Sequence, residues 1–593
     1  MKKVSENILV IMIIIMLVFS SASCRQEELL PEQTTFEAET QTPLVTTNIP
    51  TKTPVPPAPT PTDQPIKTVP NQNVGYMSAT TVPSLYITLK NNRQKGSITK
   101  ETYIDAVYSL VGSDTYADIV DNPISVKGRG NYSWSFDKKP LTLSLPKKQD
   151  WLGMGEGKKW VLINNYVDKT LLRNYITFCF ARDVGMNYTP DCRFVDVYLN
   201  GKYEGNYLLF EKIGISENRV SIDESDGILF EIEMPFRHED CTDCYETPSG
   251  VHLMYSDYEG AGAAYPNMDS ILKKMDQSLS KGYAEYSKYI DVDSFIDWYI
   301  VNEFAKNYDS KFVTSCYCYY SNGKIYMGPV WDYDTCYGNQ NTDGCMYPEG
   351  FHVSQAPWYQ ILLSDETFSK KLSEKWNKIY SDGTIDKFFN YIDYADKLIA
   401  TSRNKNFERW PDCLNMTIRS ENPYYTYAGE LGHLKKFITE RKNWLNAQWS
   451  NLGSSFSNVD KYSIKGSSGA NSGETAEKAF DGNTSTKFCT LDSLPVQIEW
   501  KMKEAVIIKK YSIATANDEA RRNPKEWKLY GSNDGNKWTI ISDVKDGALP
   551  ETFFTYKEFN VNSPGKYLHY KIVIYANAGN DYATQFSELK LIE

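Results

Sequence analysis

Three aspartates lie on either side of a predicted hairpin, and their spacing suits chemistry on a phosphate. Residues 309–338 read DSKFVTSCYCYYSNGKIYMGPVWDYDTCYG, with Tyr and Cys alternating in the first of two short strand-like runs. Asn322-Gly323 between the runs is the strongest short-range signal for a β-hairpin. Because a hairpin returns the chain to where it began, Asp309 before the first strand should meet Asp332 and Asp334 after the second.

Such a cluster has a clear chemical interpretation and a simpler alternative. Carboxylates repel one another, so a cluster is stable only when it is solvated, protonated or bridged by a cation. Hard oxygen ligands with free coordination positions suit Mg²⁺ that carries the phosphates of a nucleotide. Alternatively, Asp309 caps a turn and Asp332 and Asp334 are ordinary loop residues. The spacing alone leaves both interpretations open.

The strand-rich segment before the hairpin supplies further groups that could contact a phosphate. A glycine-rich, basic turn, VKGRGNYS at 126–133, leads into a strand that begins after Lys138-Lys139. Backbone N–H groups and a cation in such a turn can face a phosphate, although Gly-Arg-Gly turns are common and Lys139 could simply be solvated. Glu211 ends a hairpin that turns at Asn200-Gly201, and it is either a surface residue or the acidic partner of a buried lysine.

The order of the predicted elements indicates the fold class. Asp168 should cap a helix over 169–184, and further helices are expected after the aspartate hairpin, over 354–363, 365–380, 384–403 and 427–449. Strands first and helices afterwards predict a two-lobed α+β domain over 79–450. After a linker at 451–457, residues 458–593 are short β segments separated by turns, which is typical of an all-β sandwich.

Composition excludes some classes of function. The 593 residues carry a net charge of −11 without a marked Lys/Arg cluster, so we expect no nucleic-acid partner. Five His residues weaken any proposal of a His-based triad or a His-rich zinc site. The 43 Tyr and 13 Trp fit a protein that faces polysaccharide, and they fit β-rich cores equally well.

The N-terminus predicts export. A basic start and an apolar run that ends near Phe19 form a signal peptide over 1–24, too short to be a comfortable membrane span. The small residues before Cys24 resemble a bacterial lipobox, although Ser21 stands where leucine is usual. Lipidation of Cys24 would anchor the chain on the extracellular side of the membrane. Residues 25–78 are rich in Thr and Pro, which predicts a disordered stalk.

Cysteines are numerous enough for disulfides. Ten remain after Cys24, and an even count outside the cytoplasm permits pairing, although the sequence does not reveal which residues pair. Cys241 and Cys244 form a single C-x-x-C motif without a second pair at zinc-ribbon spacing.

The first folded region resembles the CotH kinase family, which is named for a spore coat protein. The motifs that carry this resemblance follow in the family's order: KGRGN at 127–131, Lys138-Lys139, VYLNGKYEGNY at 197–207 with Glu211, Asn302-Glu303 through Asp309, and WDYD at 331–334 with Gly338. The resemblance implies an atypical protein kinase fold that binds ATP with Mg²⁺ (or Mn²⁺) and phosphorylates Ser or Thr.

The resemblance also implies roles for individual residues. Asp309 would orient the acceptor hydroxyl, and Asp332 would bind the metal with Asp334 as a neighbouring ligand. Arg129 and Asn131 would form the turn on the phosphate side, and Lys139 (or Lys138) would contact the phosphate. Glu211 would be either the partner of a lysine or a nucleotide contact. Relatives often carry Asn a few residues after the first aspartate. This chain has Thr314-Ser315-Cys316 there, so a second metal ligand would be missing.

The C-terminal region resembles discoidin-like (coagulation factor 5/8 type C) domains, which include many bacterial carbohydrate-binding modules. The resemblance rests on AEKAFDGNTST at 476–486, GSNDGNKW at 531–538 and Ser587-Glu588. It implies a structural Ca²⁺ held by Asp481, Thr486 and Glu588, with Asn483 less firmly assigned. The alternative is an ordinary β-turn. Because Lys487-Phe488 replaces the usual Trp, no glycan contacts can be assigned.

Two functions of different classes follow. The first is an exported, membrane-tethered CotH-type kinase that acts on surface or secreted proteins and is held near glycan by its last domain. The second is a non-catalytic adhesion or carbohydrate-binding protein that uses a kinase-like scaffold, since ATP is scarce outside a cell. A glycoside hydrolase would also bring two carboxylates together, but nothing in the sequence resembles a barrel enzyme.

Overall fold

The computed structural model describes residue 77 and residues 79–592, except 224–226, 235–243, 256–266, 417–423, 451–458, 461–462, 483, 485 and 580–581. The predicted signal peptide, Cys24, the Thr/Pro-rich stalk up to residue 76, the linker at 451–457, Cys241 and Asn483 therefore lie outside the described residues. Within the part of the chain that is described, no helix is long and apolar enough to cross a membrane.

The first seven strands close into a barrel in the order β1-β2-β3-β4-β5-β7-β6. Its strands are β1 (Ser84–Leu89), β2 (Ile104–Val111), β3 (Ile119–Gly128), β4 (Leu141–Asp150), β5 (Glu156–Ile163), β6 (Cys192–Leu199) and β7 (Lys202–Glu211). Neighbours run antiparallel except β1 and β6, which close the barrel in parallel. Trp151 and Trp160 stack in its core with ring centres 5.3 Å apart. The sequence predicted strands here but not their closure.

A second sheet has the order β12-β11-β8-β10-β9. Its strands are β8 (Ile228–Ile232), β9 (Cys244–Glu246), β10 (His252–Tyr255), β11 (Cys316–Ser321) and β12 (Lys324–Met327). The strand β8 pairs with β11, the first strand of the aspartate hairpin. The aspartate hairpin is therefore part of this second sheet, and β12 forms one of its edges.

The described residues also form ten helices, most of which come after β8 in the chain. They are α1 (Arg173–Val184), α2 (Met268–Leu279), α3 (Tyr283–Tyr286), α4 (Val292–Ala305), α5 (Pro357–Leu362), α6 (Glu366–Ser381), α7 (Lys387–Leu398), α8 (Ala400–Arg409), α9 (Asp412–Asn415) and α10 (Tyr427–Trp449). Two predictions differ in detail. The segment 384–403 contains parts of two helices, α7 and α8. The helix predicted from residue 169 begins at Arg173, because the Asp168 carboxylate accepts hydrogen bonds from the backbone N–H groups of Thr170 and Arg173.

The C-terminal region is all β, as the sequence predicted. One sheet has the order β13-β15-β20-β17-β18, a second β19-β16-β22, and a third pairs β14 with β21. The strands are β13 (Lys465–Gly466), β14 (Phe488–Thr490), β15 (Val496–Ile507), β16 (Lys510–Ala514), β17 (Pro524–Ser532), β18 (Thr539–Val544), β19 (Tyr556–Asn560), β20 (Lys566–Asn577), β21 (Thr584–Phe586) and β22 (Glu588–Ile592). Its core contains Trp500 and Trp527, both fully buried.

Of the cysteines that the structure describes, Cys244 is exposed. The other eight are buried free thiols. Burial raises the pKa of the Cys192 thiol to about 12. These thiols therefore pack as small apolar groups and are not reactive nucleophiles.

Candidate functional site

The aspartate hairpin forms as its turn sequence predicts. β11 and β12 pair antiparallel with Ser321 opposite Lys324. Between them Asn322 and Gly323 adopt φ values of 49° and 80°, the left-handed geometry of a two-residue turn whose twist suits the hairpin. The tight turn fixes the register of the two strands, and the register fixes what stands at the open end.

Two short irregular segments carry the aspartates at that open end. Asp309 lies in a single 3₁₀ turn (Tyr308–Lys311) that follows α4, and the Asn307 side chain accepts a hydrogen bond from its backbone N–H. Asp332 has a φ of 62°, a left-handed conformation that is uncommon for residues other than glycine and recurs at functional sites. The Asn307 amide also lies 3.4 Å from the Asp332 carbonyl oxygen, so one side chain touches both segments.

The charges of Asp332 and Asp309 reach the carboxylate of Asp334. Burial raises the pKa of Asp334 well above its ordinary value, and the negative charges of Asp332, Asp168 and Asp309 raise it further, while Arg173 opposes them. Burial also raises the pKa of Asp332. The structure thus brings Asp309, Asp332 and Asp334 together, and their repulsion is the kind that a cation would relieve.

Arg129 faces this cluster from the glycine-rich turn. Its guanidinium lies over the Trp331 ring, 5.3 Å from the ring centre. Burial lowers the pKa of Arg129, whereas Asp332, Tyr317 and Glu231 favour its charged form. A partly buried cation next to an acidic cluster is suited to binding a phosphate beside a metal ion.

Two residues of this neighbourhood, Glu231 and Tyr317, were not predicted from the sequence. They lie opposite each other on β8 and β11, and a hydrogen bond joins their side chains. Burial and the neighbouring Glu233 raise the pKa of Glu231 to about 7, against the opposing influence of Tyr317, Lys212 and Arg129. An acidic residue in the middle of an otherwise apolar strand, ILFEI, was the available signal.

Lys138 is placed differently from the sequence expectation. Its side chain is fully buried, and its Nζ donates to the carbonyl oxygens of Asn164 at 2.7 Å and Asn206 at 2.6 Å and to Asn406 Oδ1 at 2.8 Å. These three acceptors use every N–H of the ammonium, so Lys138 has none left for a phosphate. Lys138 therefore has a structural role.

The other residues that were predicted to contact the nucleotide either bind groups of the protein itself or are exposed to solvent. Lys139 donates to the Trp134 carbonyl oxygen at 2.7 Å and lies over that ring. Glu211 is buried and forms an ion pair with Arg219, so its partner is an arginine and neither alternative from the sequence holds. Asn131 is exposed at the start of a 3₁₀ turn. Of the basic turn, only Arg129 faces the aspartates.

No complete metal site is preformed in the described residues. Within them, no three or more His, Cys, Asp or Glu side chains are arranged to hold a metal ion between them. Asp332 and Asp334 could supply two carboxylate ligands, and an ion held this way would take its remaining ligands from phosphate oxygens and water.

Two known families match different parts of the chain. Residues 126–445, more than half of the chain, match the CotH kinase protein family. The chain belongs to this family. Residues 463–589 match the F5/8 type C domain. Both resemblances inferred from the sequence motifs are therefore confirmed.

Individual relatives match over shorter stretches. Inner spore coat protein H of Bacillus subtilis (strain 168) is 27% identical over 224 residues, which are 36% of this chain and 59% of the relative. A peptide-N(4)-(N-acetyl-beta-glucosaminyl)asparagine amidase of Arabidopsis thaliana is 36% identical over 55 residues, 9% of this chain and 8% of that protein. The chain thus spans less than two thirds of each relative.

Two solved structures are similar to a quarter of the chain. CpGH89CBM32-5 from Clostridium perfringens, in complex with GalNAc-β-1,3-galactose, is 22% identical, covers 24% of this chain and 100% of its own, and has a TM-score of 0.20. The family 32 carbohydrate-binding module of C. perfringens NanJ, in complex with galactose, is 18% identical, covers 23% and 98%, and also has a TM-score of 0.20.

A buried polar frame supports the aspartate segments of the CotH domain. Asn302 Oδ1 accepts hydrogen bonds from Ser310 Oγ at 2.6 Å and Tyr333 OH at 2.9 Å. Arg173 is fully buried, pairs with Asp168 and with Glu430 at 2.8 Å, and donates to the Cys336 carbonyl oxygen. These contacts fix the backbone on both sides of the acidic cluster.

The predicted calcium ligands of the F5/8 type C domain also lie near one another. Thr486 Oγ1 lies 2.9 and 2.8 Å from the two Asp481 carboxylate oxygens. The Glu588 carboxylate is buried and accepts a hydrogen bond from the Gly482 N–H at 3.0 Å. The donor set is all oxygen, which is the chemistry that Ca²⁺ prefers, so the residues fit the implied ion.

Proposed function

We propose that the chain is an exported, membrane-tethered protein kinase of the CotH type, which transfers phosphate from ATP to Ser or Thr of surface or secreted proteins. The observation that carries this proposal is the meeting of Asp309, Asp332 and Asp334 beside the Arg129 guanidinium. Family membership supports it. Export and anchoring through Cys24 rest on the N-terminal sequence alone. The proposal takes the strand-rich and helical parts of the CotH domain as the two lobes of a kinase-like fold.

The proposed roles follow from charge and position. Asp332 and Asp334 would hold Mg²⁺, whose charge would offset the repulsion that raises the pKa of Asp334. When bound, magnesium and ATP supply the phosphoryl group and neutralise the charge that develops during its transfer. Arg129 would bind a phosphate oxygen and stabilise that charge from the other side. Asp309 would orient the acceptor hydroxyl and accept its proton.

A transfer assay on the purified full-length chain tests this proposal. The chain is incubated with labelled ATP and Mg²⁺ or Mn²⁺, and label on protein is measured. Asp309→Asn and Asp332→Asn keep the shape of each side chain and should lower the rate at least ~100-fold, as expected for groups that act on the transferring phosphate. Asp393→Asn is a matched control, because Asp393 is a surface residue paired with Lys435. Equal rates in all three variants would refute the proposed roles.

A second function is favoured by the placement of the lysines. Lys138 is held by three protein acceptors and Lys139 donates once, to Trp134, so Lys138 cannot bind a nucleotide and Lys139 is held back from the cluster by its own turn. A non-catalytic surface protein that uses the CotH fold for adhesion would need no such lysine. Calorimetry with ATP and Mg²⁺ separates the two functions, since only the kinase should bind the nucleotide in a manner that depends on Asp332.

The proposal assigns glycan binding to the F5/8 type C domain. Loops at one end of its strands carry exposed apolar side chains, among them Leu491, Phe553 and Tyr582, the last of which is 82% exposed. Near them, Lys487 donates to Asp518 Oδ1 at 2.9 Å in the segment between β16 and β17 and to Gln585 Oε1 at 3.0 Å on β21. Sugars stack on exposed rings, so Tyr582→Ala should weaken binding on a glycan array, while the transfer of phosphate by the full-length chain should not change.

A further inference from the structure

A second aromatic surface lies on the F5/8 type C domain, away from the end loops. Successive side chains of a strand point to opposite faces of its sheet. Leu529 and Ile572 are fully buried in the core, so Tyr530 on β17 and Lys571 on β20 point outward. These two residues lie opposite each other, and Tyr530 also lies opposite Ile540 on β18. The outer face of the five-stranded sheet therefore carries Tyr530, Ile540 and Lys571 at its centre, with Glu499 on β15 opposite Lys571.

The rings on this face are organised around one ammonium group. Lys571 Nζ lies 4.2 Å from the centre of the Trp538 ring and 5.6 Å from that of Tyr530. The hydroxyls of Tyr530 and Tyr575 are 2.8 Å apart. Tyr575 is 42% exposed and Ile540 46%. We name Tyr530, Trp538, Tyr575 and Lys571 the aromatic face.

Lys571 lies between Glu499 on β15 and Tyr530 on β17, and its ammonium lies on the side of Tyr530 and Trp538. Among the ion pairs of the described residues, Lys528 on the same sheet reaches Asp543 at 3.5 Å, whereas Lys571 has no carboxylate within 4 Å. A cation above aromatic rings gains from their negative faces but keeps N–H groups that can bind an anion. The exposed ring of Tyr575 beside the half-buried rings of Tyr530 and Trp538, with an available ammonium, is thus complementary to a ligand that is both ring-shaped and negatively charged.

We propose that the aromatic face binds an anionic polysaccharide. The apolar C–H faces of its sugar rings would pack on Tyr575, Tyr530 and Trp538, and a carboxylate or phosphate group of the chain would accept hydrogen bonds from Lys571. This inference rests on the glycan-binding part of the proposed function and adds to it a second site and the charge of the ligand. The open face of a sheet suits an extended chain, whereas the end loops suit a chain end or a branch.

The test measures polysaccharide binding to the purified full-length chain by calorimetry. Polygalacturonate carries carboxylates on its sugar rings, a phosphomannan carries phosphates on its sugar rings, and dextran is neutral. Lys571→Gln should weaken binding of the anionic polymer about tenfold, the effect of losing one charge-assisted hydrogen bond, and should reduce its salt dependence. Trp538→Ala should weaken the same binding through loss of packing. Lys566→Gln is the matched control, because Lys566 is an exposed lysine at the start of the same strand.

Each outcome either supports or overturns the proposal that the aromatic face binds an anionic polysaccharide. A loss confined to polygalacturonate or to phosphomannan supports it and identifies the anion. An equal loss in Lys566→Gln would mean general electrostatic attraction and would overturn it. Binding that Tyr582→Ala removes and the face variants leave intact would also overturn it, while glycan binding through the end loops would stand. No binding of any polymer by the unaltered chain would overturn both. Thermal unfolding of each variant verifies that the domain remains folded.

Discussion

Asn302 joins the two segments that carry the aspartates, and its replacement should separate them. Its Oδ1 accepts hydrogen bonds from Ser310 Oγ at 2.6 Å and Tyr333 OH at 2.9 Å. Ser310 directly follows Asp309, and Tyr333 directly follows Asp332. A single amide oxygen on α4 therefore sets the distance between a proposed hydroxyl-orienting carboxylate and a proposed metal ligand. The change Asn302→Ala removes that oxygen.

The expected loss of stability follows from the burial of the Ser310 and Tyr333 hydroxyl groups. Ser310 and Tyr333 are 1% and 0% exposed, so their hydroxyl groups could not turn to water after the change. A buried donor without a partner costs about 1–3 kcal/mol, and two such donors give about 2–6 kcal/mol. We expect the free energy of unfolding to fall by roughly 3 kcal/mol, because some relaxation is expected. A displacement of the aspartates by about 1 Å should lower phosphate transfer roughly 100-fold.

Three further variants separate the effect on the position of the aspartates from the effect on the free energy of unfolding. Ser310→Ala and Tyr333→Phe each remove one donor and should cost about 1 kcal/mol with a smaller, measurable loss of transfer. Tyr337→Phe is the control, since its buried hydroxyl lies 2.8 Å from Thr177 Oγ1 and makes no hydrogen bond to Asn302. It should lose similar stability and keep full transfer. Urea unfolding and the labelled-ATP assay supply the two measurements. If Tyr333→Phe and Tyr337→Phe had the same transfer rate, Asn302 would not position the site.

Three other outcomes are expected. Arg441→Met should lower the free energy of unfolding by about 3–5 kcal/mol in urea, because it leaves the Glu303 carboxylate buried without its cation, and adding Glu303→Gln should restore part of the loss. Burial raises the pKa of Glu231 from 4.5 to about 7, so the native state keeps a proton that the unfolded chain releases. Stability should therefore fall as pH rises from 4.5 to 7, by at most ~1.4 kcal/mol per pH unit, and Glu231→Gln should flatten this part of the pH profile. Ca²⁺ should raise the melting temperature of the unaltered chain and EDTA should reverse the rise, and Glu588→Gln should abolish this effect.

Local signals in the sequence predicted the parts of the site that depend on neighbouring residues. Asn322-Gly323 specifies the hairpin because both residues tolerate left-handed backbone, and the hairpin alone brings the ends of its strands together. The all-β character of the C-terminal region and the helix Tyr427–Trp449 follow equally from short-range pattern. These features require no knowledge of what packs against them.

Contacts between distant residues could not be predicted in this way. Lys138 and Lys139 are adjacent and chemically alike, yet Lys138 is buried by Asn406, which lies 268 positions away. No periodicity distinguishes the two lysines. Glu231 sits in a strand whose apolar neighbours predict only burial, and its role depends on an arginine from the barrel and a tyrosine from β11. Closure of the barrel likewise depends on the parallel pairing of β1 with β6, far apart in the chain.

The buried ion pairs explain how an acidic cluster can persist in a folded chain. Glu303 accepts hydrogen bonds from the backbone N–H groups of His352, Val353 and Ser354 and pairs with Arg441 at 2.7 Å, which ties α4 to the segment after the aspartates. Lys306 donates to three carbonyl oxygens of that same segment. Because this frame is satisfied without help from the cluster, the aspartates need not move when a cation arrives. The proposed cation would relieve their repulsion, and the frame around the aspartates, although it is not a complete metal site, is organised before that ligand is present.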